Sequence, residues 1–284
     1  MSFLTAQQRA HMDLFGYVVF PGLLSDRIDR IIAEFEAVFA NYANGQVAAA
    51  HNGTLRSCIL PFIDQSDYLA SLLDDPRING IFSDLLGEDY NYLGSDGNFY
   101  VGDTNWHSDT DWSGNFRGRP PRTFYKLAFY LDPVDATTGA LRVIPGSHKH
   151  GDVFAETLHQ ALKNPSEVVG LAGNEIPAIV LKSQPGDVVV FNQATKHSSW
   201  GGSQRRRMFT INATTHYAPN ELHLLQNEVG AFARFWPESV YGPGMMRTVH
   251  PARLVHLEQG LTQEAHLAAE VVKAKATMKE PARG

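Results

Sequence analysis

Between residues 25 and 42 the apolar positions fall at three- and four-residue steps: Ile28, Ile31, Ile32, Phe35, Val38, Phe39 and Tyr42, with charged residues between them. This spacing predicts an amphipathic helix with one buried face, started by Ser25 as N-cap and stopped at Gly45. Ahead of it, YVVFPG (17–22) reads as a short strand ended by Pro-Gly. Behind it, 66–73 and 76–86 read as shorter helices broken at Asp74, Pro76 and Gly87. From about residue 89 the texture changes to short β-type runs at 89–93, 97–102, 123–131, 140–144, 178–181, 187–192 and 207–217, parted by Gly, Pro, Asn and Asp. DATTGA and QPGD are clear turns, the second with Pro185 and Gly186 in the central positions of a type II turn. Residues 219–234 and 253–277 return to helical composition. No repeat, low-complexity tract or linker interrupts the series. The chain is therefore read as one domain, 1–284: a helical N-terminal part (1–88), a β core (89–217) and a helical C-terminal part (218–284). Many short strands with turn signals point to a sandwich, barrel or jelly roll.

Composition narrows the partners. The 284 residues carry 24 basic and 30 acidic side chains for a net charge of −6, which offers no broad footprint for nucleic acid or an anionic membrane. No apolar run approaches the roughly 18–20 residues that span a bilayer. Cys58, the single cysteine, cannot make an internal disulfide, and the first residues lack a secretory pattern, so a cytoplasmic protein is expected, as monomer or homodimer. Flanked by Ile59 and Leu60, Cys58 reads as a small buried hydrophobe.

The twelve histidines are the place to look for chemistry. His-x-Asp occurs at His11, His107 and His150, so the bare pattern carries little. His11 and Asp13 lie in a predicted helix, where residues two apart point about 200° apart and cannot share a ligand. In an extended segment residues i and i+2 project to one side, so His107 and Asp109 at a strand end are placed to grip one ion. The third pair, in PGSHKHGD, lies at a surface turn with His148 packed beneath. An open non-haem Fe(II) site takes two histidines and one carboxylate. His197, just past the apolar run in DVVVFNQATKH, is the best third ligand. Arg205, Arg206 and Arg207 follow, leading into a new strand. Arginine is the side chain best shaped to hold a carboxylate, and one aimed into a barrel is costly unless an anion meets it. The isolated histidines, from His51 to His266, have no partner at ligand spacing.

The order His107-x-Asp109, then DATTGALRVIPGSHKHG, then QPGDVVVFNQATKH, then RRRMFTIN resembles the phytanoyl-CoA dioxygenase-like family of Fe(II)/2-oxoglutarate oxygenases. The likeness covers roughly residues 10–220 and is most specific in Gly-x-Leu-x-x-x-Pro-Gly-Ser-His (139–148). It implies a mainly β fold with flanking helices, a double-stranded β-helix (jelly-roll, cupin-like barrel). It also implies His107, Asp109 and His197 as iron ligands, with Fe(II), 2-oxoglutarate and O2 as cofactors. The family's 2-oxoglutarate arginine begins the strand after the distal histidine. Here Met208 stands where that arginine is usual, so the role passes to Arg206, in the better register, or to Arg207, with Arg205 facing outward. Lys126 falls near positions that contact the cosubstrate, and equally suits a snorkelling barrel lysine.

The implied reaction couples decarboxylation of 2-oxoglutarate to succinate and CO2 with hydroxylation of a C–H bond in a small organic substrate: a polar metabolite, a phosphonate or a secondary metabolite. Asn98, Tyr100, Trp112 and Trp200 are candidate pocket residues, each equally readable as barrel packing. Asp111, Asn98 and Tyr100 near the metal motif favour a compact polar or zwitterionic substrate. The other readings are an acyl-CoA hydroxylase within the family, a zinc hydrolase or isomerase on a jelly roll, and a non-catalytic barrel.

Overall fold

A computed structural model describes residues 2–42, 51–110 and 122–283. Among them, eleven strands form two antiparallel sheets. The larger takes β1 (Tyr17–Phe20), β9 (Val188–Asn192), β6 (Phe124–Tyr130), β11 (Arg206–Thr214), β4 (Gly97–Tyr100) and β2 (Ser57–Ile59) in that order, with β3 (Asn91–Gly94) also paired to β11. The smaller runs β5 (Thr104–His107), β10 (His197–Ser199), β7 (Leu141–Val143), β8 (Ile179–Leu181). The longer described helices are α1 (Ala6–Phe15), α2 (Ile28–Asn41), α3 (Pro76–Leu86), α4 (Val153–Ala161), α5 (Leu222–Ala231) and α6 (Glu264–Thr277).

Alternation along the strands of the larger sheet sorts side chains onto two faces. On β6, Tyr125, Leu127 and Phe129 enter the main core, while Phe124, Lys126, Ala128 and Tyr130 line a cavity. On β11, Phe209, Ile211 and Ala213 face that core, and Arg206, Met208, Thr210 and Asn212 face the cavity. The rings of Phe129 and Phe209 stack at 4.4 Å on the core side. Helices close this face: α2 contributes Ile31, Phe35, Val38 and Phe39, as its periodicity predicts, and α5 and α6 add Leu225, Val229, Leu267 and Val271. A second apolar cluster, including Ala128, Tyr130, Val143, Leu181, Val189 and Met208, joins the two sheets. The layers are thus helices, large sheet and small sheet.

Several elements differ from expectation. α2 starts at Ile28, because residues 21–27 form turns in which Leu24 donates to the Gly186 carbonyl at 2.8 Å. Its expected stop at Gly45 lies outside the described residues. The part before residue 89 supplies β1 and β2, at opposite ends of the large sheet. α4, absent from the sequence-based reading, covers the outer face of the small sheet through a satellite cluster that includes Trp106, Ile144, Leu158 and Leu162. No described helix is long and apolar enough to cross a membrane.

Candidate metal centre and its cavity

The metal-type cluster forms because β5 and β10 are antiparallel neighbours in which His107 and His197 are direct partners. Their rings lie 4.1 Å apart, on one side of the ladder. Asp109 follows two residues on, held by its backbone N–H on the Gln193 carbonyl at 2.9 Å. One ligand atom from each of His107, Asp109 and His197 lies within 4.8 Å of the others. His107 Nε2 is 3.6 Å from Asp109 Oδ1, and His197 Nε2 is 3.7 Å from Oδ2. Each histidine donates Nδ1–H to a backbone carbonyl, of Asn105 at 2.8 Å and Thr195 at 2.9 Å. That fixes the tautomer and leaves both Nε2 lone pairs aimed at the shared centre. The Pro-Gly-Ser stretch braces the far side, since Lys196 N–H donates to Ser147 Oγ at 2.8 Å and Ser147 in turn donates to the Ile144 carbonyl.

Electrostatics prepare these donors. Burial, with His107 adding to it, pulls the His197 pKa down to about 3 against the pull of Asp109, so the imidazole is neutral. Burial works to raise the Asp109 pKa, but the Lys126 ammonium, above all, outweighs it and holds it well below the usual carboxylate range. Lys126 Nζ sits 2.7 Å from Asp109 Oδ2. A neutral imidazole at His197 and an ionised carboxylate at Asp109 are protonation states that suit a divalent cation.

The triad lies in the wall of a cavity of about 610 Å³, whose lining also includes Arg206, Tyr100, Tyr130 and Met208. Arg206 is 3% exposed. Its guanidinium donates to the Gly139 carbonyl at 2.6 Å and to Ser199 Oγ at 3.2 Å, and its Nε has no partner. Gly139 adopts φ +86, and a Cβ there would collide with Arg206 Nη1. This explains a glycine at the head of the 139–148 stretch: only a bare Cα leaves room for the guanidinium.

A family model described as Phytanoyl-CoA dioxygenase (PhyH) matches residues 12–208, taking in the triad, Gly139 and Arg206. The chain belongs to this family. A curated relative, ectoine dioxygenase of Stutzerimonas stutzeri (strain A1501), is 30% identical over 144 residues, 48% of this chain and 47% of that protein. The chain thus spans about half the length of that relative. Among solved structures, EctD from S. alaskensis with 2-oxoglutarate and 5-hydroxyectoine aligns with TM-score 0.56 and 22% identity over 75% of this chain and 77% of EctD. HygX from Streptomyces hygroscopicus with nickel and 2-oxoglutarate aligns with TM-score 0.55 and 18% identity over 75% of this chain and 88% of HygX.

Within this member of the phytanoyl-CoA dioxygenase family the other candidates separate by strand parity. Arg207 points to the opposite face from Arg206, where Asp132 and, at 3.0 Å, Glu36 take its guanidinium. Arg205 also pairs with Glu36, at 3.0 Å, on the surface. Tyr100 lines the cavity, whereas Asn98 is fully buried beneath Arg56, whose Nε donates to Asn98 Oδ1 at 2.8 Å. Trp200 turns outward from β10 into the cluster under α4, donating Nε1–H to Ser198 Oγ at 3.0 Å. Trp112 and Asp111 lie outside the described residues. Cys58 is buried as expected, with its thiol pKa pushed up to about 12 by burial, yet it touches the cavity.

Sequence reasoning missed the rest of the wall. Arg56 and Asp96 come from the region of β2 and β4, and Glu228, Phe232, Arg234 and Phe235 from α5 and the turn of 3-10 helix that follows it. Alternation from β4 and β11 would have found the strand-borne part. No comparable signal marks residues 228–235.

Proposed function

We propose that the protein is an Fe(II)- and 2-oxoglutarate-dependent dioxygenase, a single jelly-roll domain that hydroxylates a C–H bond of a small organic substrate. The observation that carries this reading is the buried arginine with an unpartnered Nε sharing one cavity with a two-histidine, one-carboxylate cluster. A zinc hydrolase or isomerase has no use for such an arginine, whereas a 2-oxo diacid needs an anchor for its distal carboxylate. Fe(II) with 2-oxoglutarate and O2 supplies, when bound, oxidative decarboxylation to succinate and CO2 coupled to C–H hydroxylation.

The protein's own part is positional. His107, Asp109 and His197 would hold the metal, two imidazoles and one carboxylate being the donor set suited to an open non-haem Fe(II) site. Arg206 holds the distal carboxylate, and Tyr100, over whose ring its guanidinium sits at 4.7 Å, keeps water from it. Lys126 keeps Asp109 ionised and fixes the carboxylate's rotation through the contact at Oδ2. Small-molecule chemistry is supported by the family and by what the relatives' names state: ectoine dioxygenase, and EctD with 5-hydroxyectoine.

Oxygen uptake and succinate formation, followed with added Fe(II) and 2-oxoglutarate for wild type and His107→Ala, test the reading. Wild type is expected to consume O2 and form succinate, and the variant to do neither. A wild-type protein that fails to bind 2-oxoglutarate in calorimetry sinks it.

A further inference from the structure

Seven charged side chains line the cavity, and five have assignments. Lys126 pairs with Asp109 at 2.7 Å, Arg56 with Asp96 at 3.7 Å, and Arg206 donates to the Gly139 carbonyl at 2.6 Å. Asp96 is further held by Asn98 Nδ2 at 2.6 Å and by the Thr210 hydroxyl. The remaining two, Glu228 and Arg234, stand on the wall made by α5 and the turn after it. Among the described residues neither makes an ion pair or a side-chain hydrogen bond, and they do not pair with each other. Arg234 only lies over the ring of its neighbour Phe235, at 4.7 Å.

Glu228 is half-buried, and burial raises its pKa against the weaker pull of Arg122. Arg122 is itself committed to Glu221 at 2.5 Å. A partly desolvated carboxylate without a cation is costly, and a cation delivered into the cavity removes that cost. Arg234 offers a guanidinium for an anion. Phe232 and Phe235 supply apolar surface beside these two opposite charges. The wall is also fixed in place: Ala282 N–H donates to the Arg234 carbonyl at 2.8 Å, and Arg283 reaches the Arg56 carbonyl at 3.1 Å, tying the C-terminal tail across the two sides of the cavity.

We infer that the substrate is a small zwitterion, its cationic group received by Glu228 and its anionic group by Arg234, with its apolar body against Phe232 and Phe235. The inference rests on the oxygenase reading for the chemistry done to the substrate, but the charge selectivity belongs to the wall alone.

The test uses matched triplets: L-proline, pyrrolidine and cyclopentanecarboxylate; L-leucine, isopentylamine and 4-methylpentanoate; L-phenylalanine, phenethylamine and 3-phenylpropionate. Each is titrated into the full chain with Ni(II) and 2-oxoglutarate, and again without them, by thermal shift and calorimetry. A charged hydrogen bond contributes about 10–100-fold in affinity. At least one zwitterion is therefore expected to bind about tenfold or more tightly than both of its single-charge analogues. Glu228→Gln is expected to erase its advantage over the acid, and Arg234→Gln its advantage over the amine. A panel in which no zwitterion outbinds both of its single-charge analogues, a preference that survives both substitutions, or a panel with no binder overturns the inference. Failure of 2-oxoglutarate to bind in the same titrations would instead count against the oxygenase reading, and the metal-free series would still report the selectivity.

Discussion

The inner and outer halves of the cavity are built by different means. The inner half, with the triad and Arg206, stands on β5, β10 and β11, where cross-strand partners fix each side chain. The outer half, with Glu228 and Arg234, stands on α5 and a helical turn held by packing on α6 and the core and by the Ala282 N–H on the Arg234 carbonyl. A strand-built site is specified by parity, so a shift of one residue is a complete error. A helix-built wall is specified by how apolar surfaces fit, and it can move by degrees. The proposed metal and 2-oxoglutarate site sits in the first half, and the proposed substrate choice in the second.

That division can be broken experimentally. The largest effect is expected from His107→Ala, which should weaken metal binding beyond the ~10–100-fold typical of losing an outer partner, measured by calorimetry. Arg206→Met should cost about 2–5 kcal/mol of 2-oxoglutarate affinity, the usual loss when one member of a buried charge pair is truncated. Leu225→Ala, in the buried face of α5, should cost about 2–5 kcal/mol of stability in denaturant unfolding while metal affinity holds. A comparable fall in metal affinity would show that the halves are not independent. Gly139→Ala should cost about 1–3 kcal/mol through its positive φ and the crowding of Arg206, with 2-oxoglutarate affinity falling alongside. Arg207→Met should be mildest, about 0.2–1 kcal/mol of stability, because its ion pairs are partly solvated.

The same contrast explains what could be read from the chain beforehand. His107 and Asp109 were legible because extended residues two apart share a side, and the choice of Arg206 over Arg207 follows once Met208, Thr210 and Asn212 are seen to share one face. Asn98 has the same parity as Tyr100, but Arg56 covers it, a tertiary fact that no local pattern contains. Trp200 fails on parity: His197 and Ser199 face in, so it faces out. The three-residue strands β2 and β10 are too short to leave a periodic signal, and their partners are distant in sequence. Glu228 and Arg234 carry no local signal, since only the packing of α5 and the turn after it beside the sheets makes them cavity wall.

The run of three consecutive arginines has a consequence for how this sequence tolerates change. Arg205 contributes a surface pair and lies over the Phe99 ring, Arg207 makes an outward pair and Arg206 supplies the inward guanidinium. If any one of the three codons were lost, the chain would still read Arg-Arg-Met, and the side chain two places before Met208 would still be arginine. If one were gained, the same would hold. The missing or added residue would be felt only in the turn leading into β11, so the triplet buffers the anchor against length errors at the point where the strand begins.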